Sequence, residues 1–178
     1  MARWPFTEEH ELLRKEIRTF VESELAPNAA EWEENEFPDW VFKRLGEVGY
    51  LGLSYPEKYG GGGGDYLCSI VMAEEMGRCQ SGGLGMAIAV QTDMALPPVL
   101  KFGTDEQKQR YVVPALKGEK IFCLGISEPN AGSDVQGIET TAKKVEGGWL
   151  VNGRKIFITN GRRAHAMTLV AKTDRDAG

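Results

Sequence analysis

Lys117-Gly118-Glu119-Lys120-Ile121-Phe122-Cys123-Leu124-Gly125-Ile126-Ser127 divides the chain into two textures. Lys117 and Gly118 suit a helix end, a cation near the last carbonyls and a glycine beyond them. Residues 121–127 are a short apolar run of strand length. Working back from Gly118, the segments read as helices. Thr104 and Gln107 form a T-x-x-Q capping box ahead of Tyr111, Val112 and Leu116. Residues 84–100 are apolar over helical length, and Asp65 stands as the cap of a helix through Met76. Residues 38–48 put Val41, Phe42, Leu45 and Val48 on one face, with Gly49 to close it. Residues 7–25 repeat Leu12, Leu13, Ile17, Phe20, Val21 and Leu25 at helical spacing, with Thr7 as cap and Pro27 as stop. Between these helices, Tyr55, Pro56 and the five glycines Gly60 to Gly64 predict a flexible surface loop.

Working forward from Ser127, the pattern shortens. Residues 138–145 are rich in Thr and Ala, Gly147-Gly148 suits a two-residue hairpin, and residues 149–159 and 166–173 read as further strands before a polar, turn-like end at 174–178. The expected fold class is α+β: an amino-terminal α-helical domain over residues 1–120, then an antiparallel β-domain over 121–178. So few strands leave open sheet edges and half a core, so the β-domain reads as incomplete.

Composition narrows the function. With 42% hydrophobic residues in 178, the chain can bury one ordinary core or one domain and part of another. A net charge of −5 and a pI near 5.2 exclude a broad nucleic-acid footprint. Residues 84–102 are interrupted by Gln91, Thr92, Asp93 and Pro97-Pro98, which predicts a buried helix and no membrane span. The start resembles neither a secretory nor a transit peptide, so a cytoplasmic location is expected. Three cysteines without C-x-x-C spacing and two histidines predict reduced core thiols and no metal site.

Chemistry-bearing patterns are few. The five-glycine loop has no following Lys-Ser or Lys-Thr, so it is no P-loop, and Gly83-Leu84-Gly85 meets Ile88 where a dinucleotide fingerprint needs glycine. His10 and His165 read as solvated surface histidines. Gly125-Ile126-Ser127-Glu128-Pro129-Asn130-Ala131-Gly132-Ser133-Asp134 gathers small residues, hydroxyls and acids behind an apolar strand; such a loop brings backbone amides close to a ligand, or is an ordinary turn. Lys155-Ile156-Phe157-Ile158-Thr159-Asn160-Gly161 lies 23 residues beyond Gly132 and ends an apolar strand in a hydroxyl, an amide and a glycine; the plainer reading makes Phe157 core.

At this separation, the sequences G-I-S-E-P-N-A-G-S-D-V-Q-G and K-I-F-I-T-N-G resemble the two flavin-contacting segments of the acyl-CoA dehydrogenases. The resemblance extends back through Gly103-Thr104-Asp105-Glu106-Gln107-Lys108, Val90-Gln91-Thr92-Asp93 and residues 51–61, covering essentially the whole chain. It implies an amino-terminal helical domain, the start of a middle β-domain, and a carboxy-terminal bundle that this chain lacks. It also implies FAD as cofactor, contacted by Leu124, Ile126, Ser127, Gly132, Ser133, Phe157, Ile158 and Thr159. Ser127 would hydrogen-bond the flavin ring, Phe157, where many relatives have Trp, would pack on it, and Thr159 would reach toward N5. Ser133 would also touch the CoA portion of the substrate, with Val90 and Met94 lining the acyl pocket.

In the reaction that the resemblance implies, a glutamate removes the α-proton of an acyl-CoA thioester, the β-hydride passes to the flavin, and a trans-2-enoyl-CoA leaves. Electron-transferring flavoprotein then takes the electrons. The implied base lies in the carboxy-terminal bundle, so no catalytic residue is expected here and Glu128 is read as part of the flavin loop. The fragment by itself would then be inactive, and the complete protein a homo-oligomer, dimer or tetramer. The V-Q-G-I after the first segment leans toward long-chain members. Acyl-CoA oxidase and nitroalkane oxidase reuse the same contacts, and a stand-alone helical binding module without flavin is the alternative from another class.

Overall fold

The computed structural model describes residues 4–174, so the expected turn at 174–178 lies almost wholly outside the described residues. Helix α1 (Glu8–Phe20) opens at Thr7, whose hydroxyl accepts from the His10 amide, and continues through a π-helical turn (Val21–Leu25). Pro27 does not stop it. It sits in the first turn of a 3-10 segment (Ala26–Asn28) leading into α2 (Ala29–Glu34), a position where a missing N–H costs nothing. Helix α3 (Trp40–Glu47) ends before Gly49 at φ 80°, as expected.

The glycine loop is not a loose one. Gly61, Gly62, Gly63 and Gly64 donate their amides to Pro56, Gly52, Tyr55 and Leu53 carbonyls at 2.8–3.2 Å, so the loop is laced onto the preceding turn. Asp65 then caps α4 (Tyr66–Met76), accepting from the Leu67 and Cys68 amides. Helix α5 (Gly82–Ala89), a π-helical turn (Val90–Ala95) and α6 (Leu96–Phe102) form one run long and apolar enough, by length and composition, to cross a membrane. One face of it packs into the core: Leu84, Ile88, Val90, Ala95 and Leu96 are buried, and buried Gln91 donates to the Ala115 carbonyl and accepts from the Phe122 amide at 3.0 Å, while Met86, Met94 and Phe102 are exposed. The Thr104 capping box opens α7 (Asp105–Gln107), and the helix runs on through a π turn (Lys108–Val112) into α8 (Val113–Leu116).

The class is α+β, with helices first and strands after residue 120. The expectation of an antiparallel β-domain needs correcting for one of the two ladders among the described residues. β1 (Phe122–Gly125) pairs parallel with β4 (Ala166–Leu169), whereas β2 (Thr141–Val145) and β3 (Gly148–Asn152) form the antiparallel hairpin. The 40-residue excursion between β1 and β4 is long enough for the crossover that parallel pairing demands. The hairpin turn is Glu146-Gly147, one residue earlier than expected, because Val145 pairs with Gly148. β3 stops at Asn152, and residues 153–159 leave the ladder.

Among the described residues, two apolar cores hold this together. The larger joins α1, α3, α4 and α5 through Ile17, Leu25, Phe42, Leu45, Leu51, Val71 and Leu84, each side chain contributing on the order of 1.5–3 kcal/mol when fully buried. The second packs Tyr55, Leu96, Val112, Ala115 and Leu116 against Phe122, so β1 rests on the helices and is not a free edge.

Candidate flavin cradle

The carboxyl end of β1 opens into the first loop. The Glu128 and Ala131 backbones exchange hydrogen bonds at 2.8 and 3.1 Å, which makes a tight turn around Pro129-Asn130. The Glu128 side chain then closes the base of the loop, accepting from the Glu139 amide at 2.6 Å and the Thr140 amide at 3.0 Å. Pro129, Asn130 and residues 132–137, including Gly132 and Ser133, stand exposed between these ties.

The second segment is drawn onto the first. The Ile156 amide donates to the Ser127 carbonyl at 2.9 Å, and Lys155 Nζ donates to the Ile126 carbonyl and to Glu128 Oε1, each at 2.8 Å. Both side chains of this ion pair are buried. Burial by itself would push the Glu128 carboxyl up, but Lys155, Thr140 and the Glu139 amide outweigh it and hold it down at about 2. A carboxylate so stabilised is a poor proton acceptor near neutrality.

Asn160, at φ 65°, donates its amide to the carbonyls of Ala87 on α5 and Phe122 on β1, at 2.9 and 3.1 Å. With Gln91 accepting from the Phe122 amide, both main-chain groups of Phe122 are tied by side-chain amides. Thr159 therefore sits half-buried beside α5, in a cleft of about 250 Å3 shared with Phe37, Gly83 and Ala87. Arg163 closes the outer side by donating to the Phe37 carbonyl and pairing with Asp39.

Phe157 is not core: it is 91% exposed at φ 53°, held out by the anchored residues on either side. An exposed ring between two segments that carry Ser127 and Thr159 suits a planar ligand that is apolar on its face and polar at its edge. Leu124 is half-buried against the second core, and Ile126, Ser127 and Ile158 are half-buried as well.

Val90 and Met94 lie on the helical run beside a separate cavity. A cavity of about 450 Å3 opens between α4 and the α5 run, lined among others by Tyr55, Met72, Met76, Ile88, Thr92 and Asp93. Neither Val90, which is buried, nor Met94, which is 40% exposed, lines it. On this helical run the cavity is met by Gly82, Gly85, Ile88, Ala89, Thr92 and Asp93, so it opens on a different face from the one that carries Val90 and Met94. The Tyr55 hydroxyl bonds the Thr92 carbonyl, and burial pushes the Asp93 carboxyl upward against a hydrogen bond from Thr92.

His10 also differs from expectation, since it is buried and not solvated. Its Nδ1 accepts from the Thr7 amide at 3.0 Å, which puts the proton on Nε2, 2.9 Å from Asp65 Oδ1. His10, Asp65 and Cys68 lie close enough to suggest a metal cluster, but a ring with both nitrogens engaged offers a cation no lone pair. Lys155 and Asn160 stand in the quoted segment but outside the residues expected to act, and the buried role of Glu128 was not expected; the signal for the pair is a cation opening an otherwise apolar run, matched to an acid in the other segment.

Comparison with known proteins places this geometry among relatives. Residues 7–119 match the family model "Acyl-CoA dehydrogenase, N-terminal domain" and residues 123–178 the model "Acyl-CoA dehydrogenase, middle domain". The chain is 42% identical over 174 residues to the short-chain specific acyl-CoA dehydrogenase of Clostridium acetobutylicum, covering 97% of this chain and 45% of the relative. An acyl-CoA dehydrogenase structure from Geobacillus kaustophilus superposes with a TM-score of 0.91 at 36% identity, over 99% of this chain and 46% of that one. A Bacillus anthracis acyl-CoA dehydrogenase complexed with FAD gives 0.89 at 33% identity, over 98% and 30%. The chain thus spans under half the length of these relatives.

Proposed function

Because this chain belongs to the acyl-CoA dehydrogenase family, carrying its amino-terminal domain and the start of its middle domain, we propose that it serves FAD-dependent α,β-dehydrogenation of acyl-CoA thioesters to trans-2-enoyl-CoA. The observation that carries this reading is the convergence of the two glycine- and hydroxyl-bearing segments, joined at Ser127 and Ile156, with Phe157 bare beside them. The residues fit a flavin: Ser127, Ser133 and Thr159 offer hydroxyls, Phe157 an apolar ring face, and Gly132 a backbone with no side chain in the way.

Bound there, FAD would supply the acceptor for hydride. Ser127 and Thr159 would hydrogen-bond its polar edge, Phe157 would exclude water from one side, and Ser133 would meet the CoA portion. The α5 run would take the acyl chain through Thr92, Ile88 and neighbours in the 450 Å3 cavity, in place of Val90 and Met94. The α-proton base is assigned to no described residue. The 42% identity to a short-chain specific relative supports a short acyl chain over the long-chain leaning of V-Q-G-I. A domain boundary near residue 120, electron-transferring flavoprotein as electron acceptor, and a homo-oligomer in the complete protein belong to the same proposal.

Two measurements test it. The purified chain mixed with FAD should give a bound yellow chromophore, and a colourless chain after gel filtration would defeat the flavin reading. In a complete version containing the family's base, Thr159→Val should slow flavin reduction by butyryl-CoA about 100–1,000-fold, as loss of one preorganised donor does, with FAD retention changed far less. An unchanged reduction rate would reject the role given to Thr159.

A further inference from the structure

We propose that Lys155 and Glu128 form a buried clip that assembles the flavin cradle before any flavin arrives, which makes them positioning residues and not flavin ligands. The inference rests on the flavin reading of the two segments and deepens it.

The clip ties three stretches of the chain at once, residues 126–128, 139–140 and 155–156. Lys155 Nζ bonds the Ile126 carbonyl and the Glu128 carboxylate, both at 2.8 Å. The carboxylate receives the Glu139 and Thr140 amides at 2.6 and 3.0 Å, and the Lys155 side reaches Ser127 through the Ile156 amide at 2.9 Å. These bonds bracket the residues that would face the ligand: Ser127 on one side, Gly132 and Ser133 in the exposed loop, and Phe157 two residues beyond Lys155. The side chains of Lys155 and Glu128 are only 6% and 5% exposed, so neither is spare to contact a ligand, and removing one strands the other away from water. A loop of this length, left untied, would have to be ordered by the ligand; tied in advance, it binds without that entropic cost.

The test compares Lys155→Met, Glu128→Gln, the conservative Lys155→Arg and the double variant Glu128→Leu/Lys155→Met in the 178-residue chain. Far-UV circular dichroism verifies that each variant keeps its helices. Hydrogen exchange at the Glu139, Thr140 and Ile156 amides is read without flavin, and FAD affinity and visible circular dichroism are read with it. We expect at least tenfold faster exchange at the three amides in Lys155→Met and Glu128→Gln. FAD affinity should fall tenfold or more with an altered visible spectrum, Lys155→Arg should recover most of both, and the double variant should lose no more than either single one. Exchange unchanged in Lys155→Met overturns the clip whatever the flavin result, as does a FAD affinity within twofold of the parent. A parent chain that takes up no FAD, with clip-dependent exchange intact, defeats the flavin reading instead.

Discussion

Gly118→Ala is expected to lower the urea midpoint of unfolding by an amount equivalent to about 2–5 kcal/mol, a large part of the ~5–15 kcal/mol that holds a domain together. Two costs combine. Gly118 sits at φ 69°, where an L side chain strains the backbone by about 1–2 kcal/mol. Its Cβ would also lie 2.0 Å from the Phe42 carbonyl oxygen and 2.4 Å from the carbonyl carbon. Backbone has no rotamer to move, so α3 must back away, and forcing extra volume into packed structure costs about 1–3 kcal/mol more. The contact is reciprocal, for a Cβ on Gly46 of α3 would meet the Lys117 carbonyl at 2.2–2.3 Å. Gly147→Ala is the control: φ is 78°, but nothing lies within 4 Å of the added carbon, so only the strain of about 1–2 kcal/mol remains. Equal midpoint shifts for the two variants would show that α3 and the end of α8 do not meet in this way.

The second large effect is expected at Glu75, which is 2% exposed inside α4. Arg18 of α1 grips its carboxylate with two bonds of 2.8 Å, and Arg14 and Arg78 stand at 3.3 and 3.5 Å. The Arg18 bonds, followed by those of Arg14, hold the carboxyl below its ordinary 4.5 despite the opposing effect of burial. Glu75→Ala should therefore cost about 3 kcal/mol, the lower end for breaking a buried pair, because Arg18 is exposed enough to rehydrate. The sign with pH follows from the depressed folded value. Glu75 contributes its stabilisation fully above pH 4.5, and that contribution fades as pH falls through the folded value, where proton uptake favours the unfolded chain. Urea midpoints between pH 6 and pH 3 should thus fall less in Glu75→Gln than in the parent. Parallel pH profiles would mean that other carboxylates carry the acid sensitivity.

Much of the fold was legible because its signals are local. The Thr7 and Asp65 caps, the Thr104 capping box and the left-handed Gly49 each depend on a few neighbouring residues, and each stands where the pattern put it. Pro27 misled because a proline that ends one helix is equally at home beginning the next. His10 misled because its burial depends on Asp65, 55 residues away. The glycine run likewise seemed loose only because its hydrogen-bond partners are carbonyls that composition does not reveal.

The sequence by itself determined the switch from helix to strand at Gly118, the family, and the two segments that would hold a flavin, since period, cap chemistry and motif are written in neighbouring residues. The tertiary structure decided which strand lies parallel to β1, which helix face opens on the cavity, and that Phe157 is bare while Lys155 is buried. These depend on partners distant in sequence: Glu128 for Lys155, Ala87 and Phe122 for Asn160. Burial and charge pairing are properties of such encounters, and a lone lysine or asparagine carries no record of what it will meet.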